Sequence, residues 1–112
     1  LMKRALAQGD VPEAFFVASD AMAIGALKAL QEAGLRVPQD VALVGFDDIE
    51  AASFASTPLT TINVPTDEMG RTSLKLLLDR IKGREIPLKV TLPAKLVVRE
   101  SCGYALKQAT RT

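Results

Sequence analysis

Twice in this chain a short unbroken apolar run stops at a polar cluster, and a helix-forming stretch begins at once. The first is Ala14-Phe15-Phe16-Val17-Ala18, followed by Ser19-Asp20. The second is Val41-Ala42-Leu43-Val44-Gly45-Phe46, followed by Asp47-Asp48. A strand that does not alternate apolar with polar residues is covered on both faces. A helix that follows such a strand directly packs back on the sheet, which predicts α/β construction with parallel strands. In open parallel sheets, ligands bind beyond the carboxyl ends of the strands. Ser19-Asp20 and Asp47-Asp48, far apart in sequence, are therefore expected at one edge of the sheet.

The rest of the pattern extends this alternation. Leu1 to Gln8 is helical in pattern and is ended by Gly9-Asp10. Because the chain opens inside a helical stretch, it is expected to be the C-terminal part of something longer. Ala21 to Ala33 is an Ala-rich helix without Pro, and Gly34 is its expected left-handed terminator. Its polar stripe is narrow (Lys28, Gln31, Glu32), so a cover on more than one side is expected, by the sheet and by a partner subunit. Asp48 to Ala55 reads as a short helix broken by Thr57-Pro58, and Leu59 to Ile62 as a third strand. Asn63-Val64-Pro65 is an extended linker. Thr66 is the expected cap of a helix running to Lys82, with Asp67 and Glu68 complementing its dipole. Leu74, Leu77, Leu78 and Ile81 share one face of it. Lys89 to Leu92 and Lys95 to Val98 are strand candidates, and residues 103–112 are expected to be a flexible tail.

Composition removes several kinds of chemistry. The 112 residues carry 14 basic and 13 acidic side chains, which argues against a nucleic-acid surface on this segment. With no histidine, Ser-His-Asp and Cys-His catalysis is excluded. The single cysteine, Cys102, excludes an internal disulfide and a cysteine zinc site. No phosphate-cradling glycine loop or metal-ligand set is present, so neither an enzyme nor a bound cofactor is expected. Nothing resembles a membrane span.

The acids that end the second strand admit several roles. They can cap the following helix, although one carboxylate suffices for a cap. A strand-end carboxylate can also accept hydrogen bonds from two ligand hydroxyls at once. A metal site lacks a third acid at a telling spacing, and phosphoacceptor chemistry lacks the further acids and lysine it requires. Ser19 can cap a helix or contact a ligand; nothing is present to activate it as a nucleophile. Thr60-Thr61 reads as strand filler.

The stretches "AIGAL", "GLRVPQDVALVGFDD", "PLTTI" and "LVVRES", in this order and spacing, resemble the C-terminal part of the lactose/galactose repressor family of bacterial transcription regulators. The resemblance covers residues 1 to about 103. It implies a two-lobed fold of the periplasmic-binding-protein type, with parallel-sheet lobes and a ligand cleft between them. Residues 1–63 would belong to the C-terminal lobe, 64–93 would cross to the N-terminal lobe, and 94–102 would return. The helix in the crossing segment would then lack its own sheet. By the same resemblance Asp47 matches an acid that binds effector hydroxyls. Ser19 matches a contact usually made by Asn, and Val64 one often made by Gln. Asp20 and Asp48 match loop-fixing positions. Ala23, Ile24, Leu27, Phe54 and Ala55 fall on the family's dimer surface. The function implied is effector sensing, of a sugar or related metabolite, in a cytoplasmic homodimer. Operator DNA would be bound through an upstream domain. The alternative is a periplasmic solute-binding protein of a sugar transporter.

Overall fold

A computed structural model describes residues 1–9 and 11–109; the expected boundary at Asp10 and the last three residues of the expected tail lie outside the described residues. The chain runs α1 (Met2–Ala7), β1 (Ala14–Phe16), α2 (Asp20–Glu32), β2 (Ala42–Val44), α3 (Glu50–Ser53), β3 (Thr61–Asn63), α4 (Thr66–Ile81), β4 (Lys95–Val97) and α5 (Tyr104–Ala109).

The predicted α/β alternation is present. β1 and β2 pair in parallel, with Phe15 opposite Leu43. A parallel bridge between Val44 and Thr60 joins β3 to the other edge of β2. β4 differs from the other strands: it runs antiparallel to β3, with Asn63 opposite Lys95. The chain reaches β3 by a crossover but returns to it through β4 from the opposite direction. Residues 89–92, expected as a strand, have no ladder partner. Part of the expected tail forms α5.

α2 covers one face of the sheet. Ser19 has extended backbone and its hydroxyl accepts a hydrogen bond from the Met22 amide, which starts the helix. At the other end Gly34 has φ of 78°. The Leu35 amide donates to Leu30, and the Gly34 amide to Gln31. This paired closure satisfies carbonyls that the helix would otherwise leave open, and it needs a residue that tolerates positive φ. Ala23, Ala26, Leu27 and Leu30 then pack with Val41, Leu43, Ala52 and Leu59 into one buried cluster. Each buried leucine contributes roughly 2 kcal/mol. The small alanines let the helix lie close to the strands.

Ser101, fully buried, joins the central strands. Its hydroxyl accepts from the Thr60 amide at 2.8 Å and donates to the Leu43 carbonyl at 2.6 Å.

α4 behaves differently. It begins one residue earlier than expected: Pro65 holds the cap position, makes no side-chain bond there, and Thr66 is already helical. None of its residues is buried. Leu74, Leu77, Leu78 and Ile81 share its face and are all exposed. The Cα radius of gyration is 18.6 Å, whereas a compact chain of this length has about 13 Å. The apolar face of α4 is thus left largely uncovered by the described residues of this chain.

Candidate functional site

Three segments emerge at the carboxyl ends of the parallel strands, and hydrogen bonds fix them side by side. The Asp20 amide donates to the Phe46 carbonyl at 2.8 Å, which brings Ser19-Asp20 against Phe46-Asp47. The Asp47 amide donates to the Ile62 carbonyl at 3.0 Å, and Asp47 pairs with Asn63 as a parallel bridge. The segment carrying Val64 therefore lies on the other side of Asp47. Ser19, Asp47 and Val64 share one rim with Asp47 between the other two.

The acids on this rim divide sharply. Neither Asp47 nor Asp48 caps α3, whose cap position is Ile49 without a side-chain bond. The helix-start role considered for this pair is excluded. Asp47 is exposed with φ of 109°, and among the described residues its carboxylate has no hydrogen-bond or ion-pair partner. Asp48, with φ of 58°, points into the protein. It accepts from the Arg99 guanidinium at 2.7 Å and from the Asn63 amide at 2.9 Å. Asp20 is fully buried. It accepts from the Thr61 hydroxyl at 2.6 Å and from the Ile49 amide at 3.0 Å. A carboxylate on α2 thus secures the start of α3. The Thr61 hydroxyl also accepts from the Asp48 amide at 3.3 Å, so the two inner acids share one relay.

Thr61, Asn63 and Arg99 were not legible as site residues from the sequence. Thr61 reads as strand filler, and nothing in the spacing joins Arg99 to Asp48, 51 positions away. The available signal was the excess of carboxylates at the rim, which demanded donors from elsewhere in the fold.

The guanidinium of Arg99, and next the amide of Asn63, hold the Asp48 carboxyl below the ordinary carboxylate range. A group with a depressed folded-state pKa stabilises the fold fully above its unfolded pKa, near about 4. That stabilisation is lost as pH falls through the lower folded value. Asp40, held down to about 2 by the Arg36 side chain, contributes in the same window. The expected result is a stability curve that falls below about pH 4, with a shallower acid limb in Asp48→Asn. Denaturant titrations of the intact protein across that range provide the check. An unchanged acid limb in the variant removes Asp48 from the linkage.

The residues expected at a dimer surface do not share one environment. Ala23 and Leu27 lie in the buried core and have no surface left to offer a partner. Ile24 and Ala55 are half-buried against that core. Phe54, at 78% exposure, is the member that stands free.

A cavity of about 520 Å³ lies between α1, α2 and β1 and is lined by Met2, Phe15, Val17, Met22 and Ala26 among others. None of Ser19, Asp47 and Val64 lines it. Its wall is almost wholly apolar, and it lacks the converging polar groups of the rim. The rim is the better candidate for recognising a polar ligand. No group of metal-ligating side chains is found among the described residues.

Comparison with known proteins matches residues 1–102 to the periplasmic binding protein-like domain. The transcriptional repressor MelR of Bacillus subtilis (strain 168) is 66% identical over 110 residues, spanning 98% of this chain and 32% of that protein. A solved complex of the transcriptional regulator CelR with cellobiose superposes with a TM-score of 0.85 at 44% identity, over 89% of this chain and 31% of that one. The lac repressor dimer bound to operator and the anti-inducer ONPF gives 0.84 at 41% identity, over 89% and 35%. The chain spans about a third of the length of these relatives.

Proposed function

The chain belongs to the periplasmic-binding-protein-like domain family in its lactose/galactose repressor branch, and from that premise we propose that it is the effector-sensing part of a DNA-binding transcription regulator. The observation that carries this reading is the unengaged Asp47 carboxylate, set between the Ser19 and Val64 segments on one rim. An anionic oxygen held on a braced loop accepts hydrogen bonds from neighbouring sugar hydroxyls, and such bonds are stronger than neutral ones. Ser19 contributes less, because its hydroxyl already caps α2. Val64 supplies an apolar contact. Asp47 is exposed at this rim, and the second lobe of a two-lobed fold would close over the sugar there.

Residues 1–63 and 94–102 form the C-terminal lobe in this reading, and residues 64–93 cross to the other. The bare face of α4 agrees with that division. Phe54, together with the half-buried Ile24 and Ala55, is the proposed contact with a second subunit. Operator DNA is bound by an upstream domain, in the cytoplasm. Sugar binding would alter lobe placement in the dimer and so operator affinity, a coupling between two sites. That the relatives are repressors supports this reading over a transport receptor. It also supports a protein without catalytic turnover.

A thermal-shift screen of the intact protein against cellobiose, lactose, galactose and nucleosides tests the proposal. Asp47→Ala is expected to weaken the binding of a stabilising sugar by about 2 kcal/mol, or roughly thirtyfold, the contribution of hydrogen bonds to a charged group. A sugar whose stabilisation survives the substitution unchanged removes Asp47 from the site.

A further inference from the structure

The two neighbouring acids of the rim face opposite ways, and the inner one touches both strands that lead out of the lobe and back. Asp48 Oδ2 accepts from Asn63, the last residue of β3. Asp48 Oδ1 accepts from Arg99, just past the end of β4. The second arm of the same guanidinium donates to the Leu59 carbonyl at 2.9 Å. The Arg99 backbone amide donates to the Thr60 hydroxyl, also at 2.9 Å. β3 and β4 lie side by side, with Asn63 opposite Lys95. Both Asp47 and Asp48 adopt positive φ, which non-glycine residues hold only where the surroundings enforce it. The enforcing bonds fall on Asp48. Asp47 is fixed through its amide and its carboxylate is left unengaged.

We propose that Asp48 is the positioning residue of this rim: gripped by Asn63 and Arg99, it sets the loop that presents Asp47 and fastens that loop to the outgoing and returning strands together. The role in sensing rests on the reading of Asp47 as a sugar contact. A ligand that pulls on Asp47 then acts on both crossing strands through one carboxylate, rather than on a free loop. Arg99 belongs to the same device because its fork engages Asp48 and Leu59 at once, which a point charge does not reproduce.

Amide hydrogen exchange on the intact protein tests this without any sugar. In Arg99→Gln and in Asp48→Asn, exchange is expected to quicken at least about fivefold in segments 46–49, 61–64 and 95–98. The amides of α2 are expected to stay within about twofold of wild type, as for local rather than global opening. Arg99→Lys should recover part of the protection, since it keeps the charge and loses the fork. Asp47→Asn should match wild type, because its carboxylate holds nothing in place. Unchanged exchange at 46–49 in Arg99→Gln, or a rise shared equally by α2, overturns the proposal.

Thermal shift with cellobiose and lactose adds the sensing arm. A shift in Arg99→Gln equal to wild type also overturns the positioning role. If neither sugar shifts the wild type, the sugar reading of Asp47 loses its support, and the exchange pattern alone decides whether Asp48 positions the loop.

Discussion

Replacing Gly45 with Ala is expected to destabilise the intact protein by about 3 kcal/mol or more, through overpacking and the loss of buried hydrogen bonds. The added Cβ would lie 2.2 Å from Asp20 Oδ1 and 2.9 Å from Leu59 Cδ2. Neither neighbour is a loose end. The Asp20 carboxylate is fixed by Thr61 and Ile49, and Leu59 is fully buried. The glycine is needed here for space and not for an unusual backbone angle. Relief requires either the carboxylate to leave its two donors or β2 to move away from α2. Denaturant midpoints compared at constant slope give the measurement. A loss under about 1 kcal/mol would show that the strand end yields far more readily than this packing implies.

Asp20→Ala is the second large effect, expected at about 3 kcal/mol, because it strands two donors at once. The Thr61 hydroxyl is fully buried, and the Ile49 amide loses the acceptor that fixes the start of α3. Asp20→Asn should cost about half as much, since an amide oxygen still accepts one bond while its NH2 meets a donor. Thr61→Val removes one of the stranded donors in advance. Combined with Asp20→Ala, it should give a loss smaller than the sum of the two single changes, because the pair shares a bond. Strict additivity would mean that the 2.6 Å contact contributes nothing measurable. Both variants also test the rim, since the Asp48 amide depends on the same hydroxyl.

The fold was legible where local chemistry and packing agree. The apolar run at β2, the Ser19 cap and the Gly34 terminator each act within a few residues, and each appears as expected; the run at β1 forms its strand, but Ala14 and Phe16 are exposed where cover on both faces is expected. β4 was not legible in direction, because strand sense is set by where the chain re-joins the sheet rather than by its own side chains. The cap of α4 fell one residue early because Pro65, with fixed φ, can precede a helix without offering a side-chain acceptor. At the rim, Asp47 and Asp48 stood out in the sequence, but their opposite orientations did not. The difference lies in donors contributed by Asn63 and Arg99, which sequence spacing does not place. The dimer surface was blurred for a similar reason. Ala23 and Leu27 carry the same apolar signal as Phe54, yet the sheet consumes the first two and leaves the third bare.

The bonds that shape this rim join residues far apart in the chain: Asp20 to Thr61 across 41 positions, Asp48 to Arg99 across 51, Leu43 to Ser101 across 58. A polypeptide leaving the ribosome makes α2 and β2 well before their final partners exist. Until Arg99 and Ser101 clear the exit tunnel, the loop at Asp48 has no cation and the central strands lack their buried hydroxyl clasp. Completion of the rim therefore waits on the returning strand, however early α2 and β2 emerge.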